Sequence, residues 1–154
     1  MSPDLRDELK QEKPFRSIHE EAHLNLIRTT NRLNDALEQK LKQHGITSTQ
    51  YNVLRILRGA EPKGLCRNEV SERLLNRMPD ATRLLDRMEE ADLVTRSRAT
   101  DDRRLVTTHI TKKGRGIVDS LDEVVDQQHE KHLGHLSATK LRTLIDLLTE
   151  LRNA

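Results

Sequence analysis

A mainly α fold with one β-hairpin set between helices is predicted by three features of this 154-residue chain. Leucine-rich stripes at helical spacing run through both ends. Two short helical patterns stand close together in the middle. Directly after them come "LVTRSR" and "LVTTHI", short runs rich in Val and Thr, separated by six residues and so joined as a hairpin with a long charged tip.

In chain order, residues 1–15 are polar, hold two prolines and show no sustained apolar face, so they predict a flexible arm. From Arg16 to His44 runs a long helical pattern with Leu26, Leu33, Leu37 and Leu41 among its apolar positions, stopped by Gly45. Thr47 and Gln50 have capping-box spacing ahead of Tyr51, Leu54 and Leu57. The breaker-rich "GAEPKG" ends that helix. A short helix over Arg67–Leu75 and another over Pro79–Ala91 then suggest a helix-turn-helix. The hairpin follows over Leu93–Arg98 and Leu105–Ile110. Thr111 caps a helix to Leu133 with Ile117, Leu121, Val124 and Val125 on one face. Gly134 breaks it, and Ser137 caps a last helix striped by Leu141, Leu144, Leu148 and Leu151.

Composition narrows the class. With 34% hydrophobic and 34% charged residues, one Phe, one Tyr and no Trp, the core is lean, and burial at a subunit interface is a natural supplement. No apolar run approaches the ~20 residues that cross a bilayer, and the charged start lacks a signal-peptide core, so a cytoplasmic protein without membrane contact is expected. A lone Cys66 fits a reducing compartment. Residues 63–115 carry 13 Lys and Arg against 9 Asp and Glu, while the rest carries 14 against 16, a weak pointer to a polyanion partner. No phosphate-binding Gly loop, GxSxG, HExxH or zinc-spaced Cys pair occurs, which argues against an enzyme and predicts no cofactor.

A helix-turn-helix followed at once by a charged hairpin is a winged helix-turn-helix. Its physics is specific: one helix reads base edges in the major groove while the hairpin reaches for the adjacent minor groove. That narrow groove favours arginine, which Arg103 and Arg104 offer. Asp101 and Asp102 repel DNA, so their expected role is to pin the turn and orient an arginine.

The runs "NEVSERLLNRMPDATRLLDRMEEADLVTR" and "DDRRLVTTHITKKG" resemble the MarR family of bacterial transcriptional regulators, closely over about Thr47–Gly116. The Asp-Arg-Arg tip and the closing Ile-Thr-x-x-Gly carry most of the likeness. Asp92 stands where the family usually has Gly, and Cys66 where it usually has a Ser or Thr cap. The resemblance implies one domain over 16–154, with the winged helix-turn-helix at about 47–116 and dimerisation helices at about 16–44 and 112–152. It implies a homodimeric regulator of double-stranded DNA, a repressor reading a pseudo-palindrome with recognition helices about one DNA turn, ~34 Å, apart.

By the same resemblance the recognition helix spans about Pro79–Glu90 and reaches bases through Asp80, Ala81, Thr82, Arg83 and Arg87. Arg83 suits guanine and Asp80 a cytosine amino group. Arg67, Arg77, Arg96 and Arg98 are the expected phosphate contacts. Surface ion pairs among Arg83, Asp86 and Arg87 are the competing structural reading. With no side-chain cap ahead of Pro79, free backbone N–H groups are left for a phosphate.

Family members release DNA when a small phenolic or other lipophilic molecule binds between the dimer helices and the DNA-binding lobe. His19, His23, Ile27, Tyr51 and Leu54 are the wall residues expected here, against a plain-core alternative. Cys66, at a helix start beside Arg67, is a redox candidate set against an inert buried thiol. His129, His132 and His135 are spaced by three, but solvated histidines at a helix end explain them better than a metal site. Two alternative readings stay open: an architectural DNA-binding protein without ligand response, and a redox-responsive regulator acting through Cys66.

Overall fold

The computed structural model describes residues 3–98, 102 and 104–154. It is mainly helical, with a three-stranded antiparallel sheet: α1 (Leu5–Leu9), α2 (Ile18–Lys42), α3 (Ser48–Gly59), β1 (Leu65–Cys66), α4 (Arg67–Arg73), α5 (Thr82–Glu90), β2 (Val94–Arg98), β3 (Val106–Ile110), α6 (Lys112–Leu133) and α7 (Ala138–Arg152). Among the described residues no helix is long and apolar enough to cross a membrane.

Local chemistry sets most of these boundaries. The Thr47 hydroxyl accepts from Gln50 N, and the Gln50 side chain accepts from Thr47 N, both at 3.1 Å, so the capping box opens α3. Thr111 opens α6 by accepting from Gly114 N at 2.9 Å, and Ser137 opens α7 by accepting from Lys140 N at 3.3 Å. Ser17 caps α2, so that helix starts at Ile18 rather than Arg16.

Three expectations change. The stretch 1–15, predicted as a flexible arm, contains α1. Asp4 caps it, Leu5 is buried, and Glu8 meets Arg28 of α2 at 3.4 Å. A single apolar side chain is enough to dock five residues but too little to register as periodicity. The hairpin also gains a third strand: β3 lies between β2 and β1 through Leu65↔Thr108 and Cys66↔Thr107. Two residues carry no alternation signal. The third change is the late start of α5, described with the site below.

The core is built by Leu41 of α2, Val53, Leu54 and Leu57 of α3, Val70 of α4, Leu85 and Met88 of α5, Val94 and Ile110 of the sheet, and Val118, Leu121 and Val125 of α6. It lies under the helix-turn-helix and the base of the wing. By contrast α7 buries no residue at all.

α5 ends in a Schellman turn, with Leu93 N donating to Met88 O and Asp92 N to Glu89 O, both at 2.9 Å. The turn holds Asp92 at φ 57°, left-handed backbone where a Cβ is strained. Asp92→Gly is therefore expected to stabilise the chain by about 0.5–1 kcal/mol, read as a higher melting temperature. A lower one would show that the carboxylate itself supports the turn.

Candidate nucleic-acid interface

The site begins with the amphipathicity of α5. Leu85 and Met88 face the core, while Arg83 and Arg87, one turn apart, face solvent. The helix starts at Thr82, not at Pro79. Asp80 explains the difference, because its carboxylate accepts from Thr82 N (2.9 Å) and from the Thr82 hydroxyl (2.5 Å), holding residues 79–81 in a turn. The same two bonds hold the Asp80 carboxyl below its ordinary range. One N–H expected to await a phosphate is thus already taken by Asp80. Ala81, expected at the DNA, is fully buried as the N-cap residue.

Arg67 Nη1 donates to the Thr82 hydroxyl at 3.0 Å, tying the start of α4 to the start of α5. Arg77 and Pro79 are exposed on the turn between these helices, and Arg98 is exposed at the end of β2. Arg96 departs from the phosphate role expected for it. Its guanidinium donates to Asp86 (2.5 Å) and Glu89 (3.1 Å) of α5, and its backbone N–H also donates to Glu89 at 3.1 Å. Glu89 and then Asp86 raise the Arg96 pKa, and Arg96 in turn lowers that of Glu89. Asp86 therefore pairs across to the wing, not with Arg83 or Arg87 along its own helix.

At the wing tip, Asp102 accepts from Arg104 N at 2.9 Å, and Leu105 N donates to Asp102 O at 3.0 Å. The carboxylate closes the turn and leaves the Arg104 side chain exposed. Arg103 and Asp101 lie outside the described residues. Between the wing and the starts of α4 and α5 runs a cleft of about 450 Å³ lined by Cys66, Arg67, Thr82, Arg96 and Arg104 among others. Cys66 is half-buried there, with its backbone N–H on Glu69 Oε2 at 2.8 Å.

The five residues expected to line an effector pocket are not brought together. Leu54 is closed into the core. Tyr51 borders a cavity of about 390 Å³ shared with Asn34, Glu38, Asn52, Arg55, Leu75 and His129, but His19, His23 and Ile27 do not line it. A straight helix of 25 residues is roughly 37 Å long, so the first turns of α2 run past α3. The histidine run is likewise divided. His129 faces this cavity, whereas His132 and His135 face a different cleft against α1 and α2. Among the described residues no group of three His, Cys, Asp or Glu is placed to hold a metal ion.

Sequence reasoning missed a polar brace beneath the site. Arg58 of α3 donates to Asp119 (2.8 Å) and Asp122 (2.7 Å) of α6, and the Tyr51 hydroxyl donates to Asp122 at 3.1 Å. Separations of 61 to 71 residues leave no local signal. Burial, seconded by Asp122, pushes the Tyr51 phenol up to about 12, and the Arg58 bond holds Asp122 below the usual carboxylate range. The folded value of Asp122 is the lower one, so its contribution is complete above about pH 4 and is lost as pH falls through that lowered value. Asp122→Asn is expected to flatten the fall of melting temperature with pH in this acid range. An unchanged curve would remove Asp122 from the account.

Comparison with known proteins agrees with this geometry. A model of the MarR family matches residues 46–106. The chain is similar to the HTH-type transcriptional regulator FarR of Neisseria gonorrhoeae, 30% identical over 138 residues, covering 90% of this chain and 93% of that protein. It is similar to a MarR transcription factor from Planctomyces limnophilus, at 39% identity and TM-score 0.67, with 88% and 98% of the two chains covered. It is also similar to the transcriptional repressor CouR, solved bound to a 23-mer DNA duplex, at 26% identity and TM-score 0.76, with 92% and 99% covered.

Proposed function

The chain belongs to the MarR family of transcriptional regulators, and from that premise we propose that it is a homodimeric repressor of double-stranded DNA, reading a pseudo-palindromic operator and released by a small molecule. The observation that carries this reading is the shared cleft. Thr82 at the start of α5 and Arg104 at the wing tip line the same opening, so one duplex laid across it meets both. Arg83 and Arg87 then serve as base readers, with Asp80 and Thr82 at the first turn. Arg103 and Arg104 serve the minor groove, and Arg67, Arg77 and Arg98 serve phosphates.

Dimerisation is supported by α7, whose Leu144, Ile145, Leu147 and Leu151 all face outward. The domain division follows from it: α2, α6 and α7 form the dimerising part, and residues 47–116 the winged part. The cavity beside Tyr51 supports a lipophilic or phenolic effector. It lies between α2, α3 and α6, and Leu75, from the turn before α5, forms part of its rim.

The test is titration of the purified chain against the DNA upstream of its own gene over a salt series, beside Arg103→Ala/Arg104→Ala. Tight, salt-dependent binding to one palindromic site, weakened roughly a hundredfold in the double variant with the dimer intact, is expected. Upstream DNA bound no better than random DNA would end the self-regulation reading.

A further inference from the structure

Arg96 faces the cleft that the proposed function assigns to DNA, yet every hydrogen bond described for it runs to α5. Its side chain is 27% exposed and bonded to Asp86 and Glu89, and the Glu89 carboxylate also holds the Arg96 backbone N–H. Two carboxylates on the helix proposed to enter a polyanion's groove are a liability unless they do something else. Here they join α5 to the middle of β2. Arg96 sits opposite buried Thr108 of β3, inside five consecutive paired positions of the hairpin, so fixing Arg96 fixes the hairpin as a unit.

We propose that Arg96, clasped by Asp86 and Glu89, is a positioning residue for DNA specificity: it sets the angle between wing and recognition helix and is not a phosphate contact. The inference rests on the DNA-reading function proposed above. Its leverage is geometric. At ~3.3 Å per residue the last paired position, Arg98↔Val106, stands roughly 7 Å beyond Arg96, so a tilt of about 20° carries that pair roughly 2.3 Å, close to one hydrogen-bond length, and Arg104 beyond it farther still. A wing displaced that far cannot reach its groove while α5 sits in the neighbouring one. An operator demands both contacts at once, whereas random DNA is held mainly by charge.

The two roles predict opposite signs for one variant. Asp86→Asn/Glu89→Gln removes two negative charges and frees Arg96. A phosphate-contacting Arg96 would then bind DNA more tightly, but a positioning Arg96 loses its clasp and binds the operator more weakly.

The probe is a duplex selected from a randomised pool by the wild-type dimer, with a random-sequence duplex of equal length beside it. Arg96→Gln and Asp86→Asn/Glu89→Gln are each expected to weaken the selected duplex about tenfold and the random one no more than about twofold. The salt slope of Arg96→Gln is expected to match the wild type, and the triple variant to bind no worse than Arg96→Gln alone. Circular dichroism melts confirm that each variant is folded at the assay temperature, and Arg96→Lys, which keeps the charge but not the fork, is expected to recover little.

Tighter or equal binding by Asp86→Asn/Glu89→Gln, or a salt slope lower by roughly 0.9 in Arg96→Gln, would overturn the proposal in favour of a phosphate contact. Additive losses in the triple variant would overturn it in favour of separate DNA contacts. If no duplex is enriched from the pool, the sequence-reading function itself fails, and the positioning role falls with it.

Discussion

Leu147→Asp/Leu151→Asp is expected to yield a folded monomer that has lost operator binding. Nothing in α7 is buried, and Leu147 and Leu151 are each 58% exposed, so within one chain both positions accept a charge at little cost. A 15-residue helix with this much outward leucine has no reason to persist unless a second surface covers it. In a homodimer the change falls on both protomers, and covering the exposed part of four leucines contributes roughly 3–6 kcal/mol, a change of about two to four orders of magnitude in dimer dissociation. A repressor that grips two half-sites loses the second when it loses its partner, and apparent affinity falls by about a thousandfold or more. Sedimentation velocity reports the mass and the DNA titration reports the consequence. A variant that stays dimeric would place the interface on some other face.

The second large effect is expected at Gly114→Ala. A Cβ there would run into the backbone carbonyl of Leu93 and stand 3.1 Å from Ile110 Cγ1 and Leu54 Cδ2. The obstruction is rigid. Thr111 N donates to that same carbonyl at 3.1 Å, and the Thr111 hydroxyl donates to Asp92 O at 2.6 Å, so the start of α6 is fastened to the turn between α5 and β2 that it would have to leave. Overpacking at such a point costs about 2–4 kcal/mol, or roughly 6–12 °C in melting temperature for a chain of this size. Gly116, two residues on in the same helix, meets nothing within 4 Å. Gly116→Ala is therefore expected to be neutral or to stabilise by up to about 1 kcal/mol. Equal melting of the two variants would remove the close approach from the argument. Gly114 is also the glycine of the closing Ile-Thr-x-x-Gly motif, and it has here a packing reason: α6 must lie directly on the turn that ends α5.

These two predictions draw on different kinds of information. The leucine stripe of α7 is visible in the sequence, and so are the capping box at Thr47 and Gln50, the caps at Thr111 and Ser137, the stop at Gly45, the hairpin and the Asp-Arg-Arg tip. All are relations between residues a few positions apart, where the chain's own geometry decides which atoms meet. Four helix starts and the family resemblance were accordingly legible. Asp80 was visible as a residue but not as the group that delays α5, because its carboxylate competes with a helix start that Pro79 also suggests.

What only the tertiary structure decided lies at longer range. Arg96 reads as a free cation until α5 packs beside β2 and supplies two carboxylates. Tyr51 and Arg58 meet Asp122 only after α3 and α6 cross. β1 exists because β3 offers it an edge, and α1 because α2 offers Leu5 a surface. The residues expected to wall a pocket are separated for the same reason, since helical spacing orders residues along one helix but does not say where a second helix crosses it. Periodicity and caps follow from backbone hydrogen bonding within a turn, so sequence by itself determined the elements that carry such local signals and the family to which the chain belongs. Which charges are spent inside the protein and which stay exposed depends on side chains brought together from distant segments, and the folded chain alone determined that.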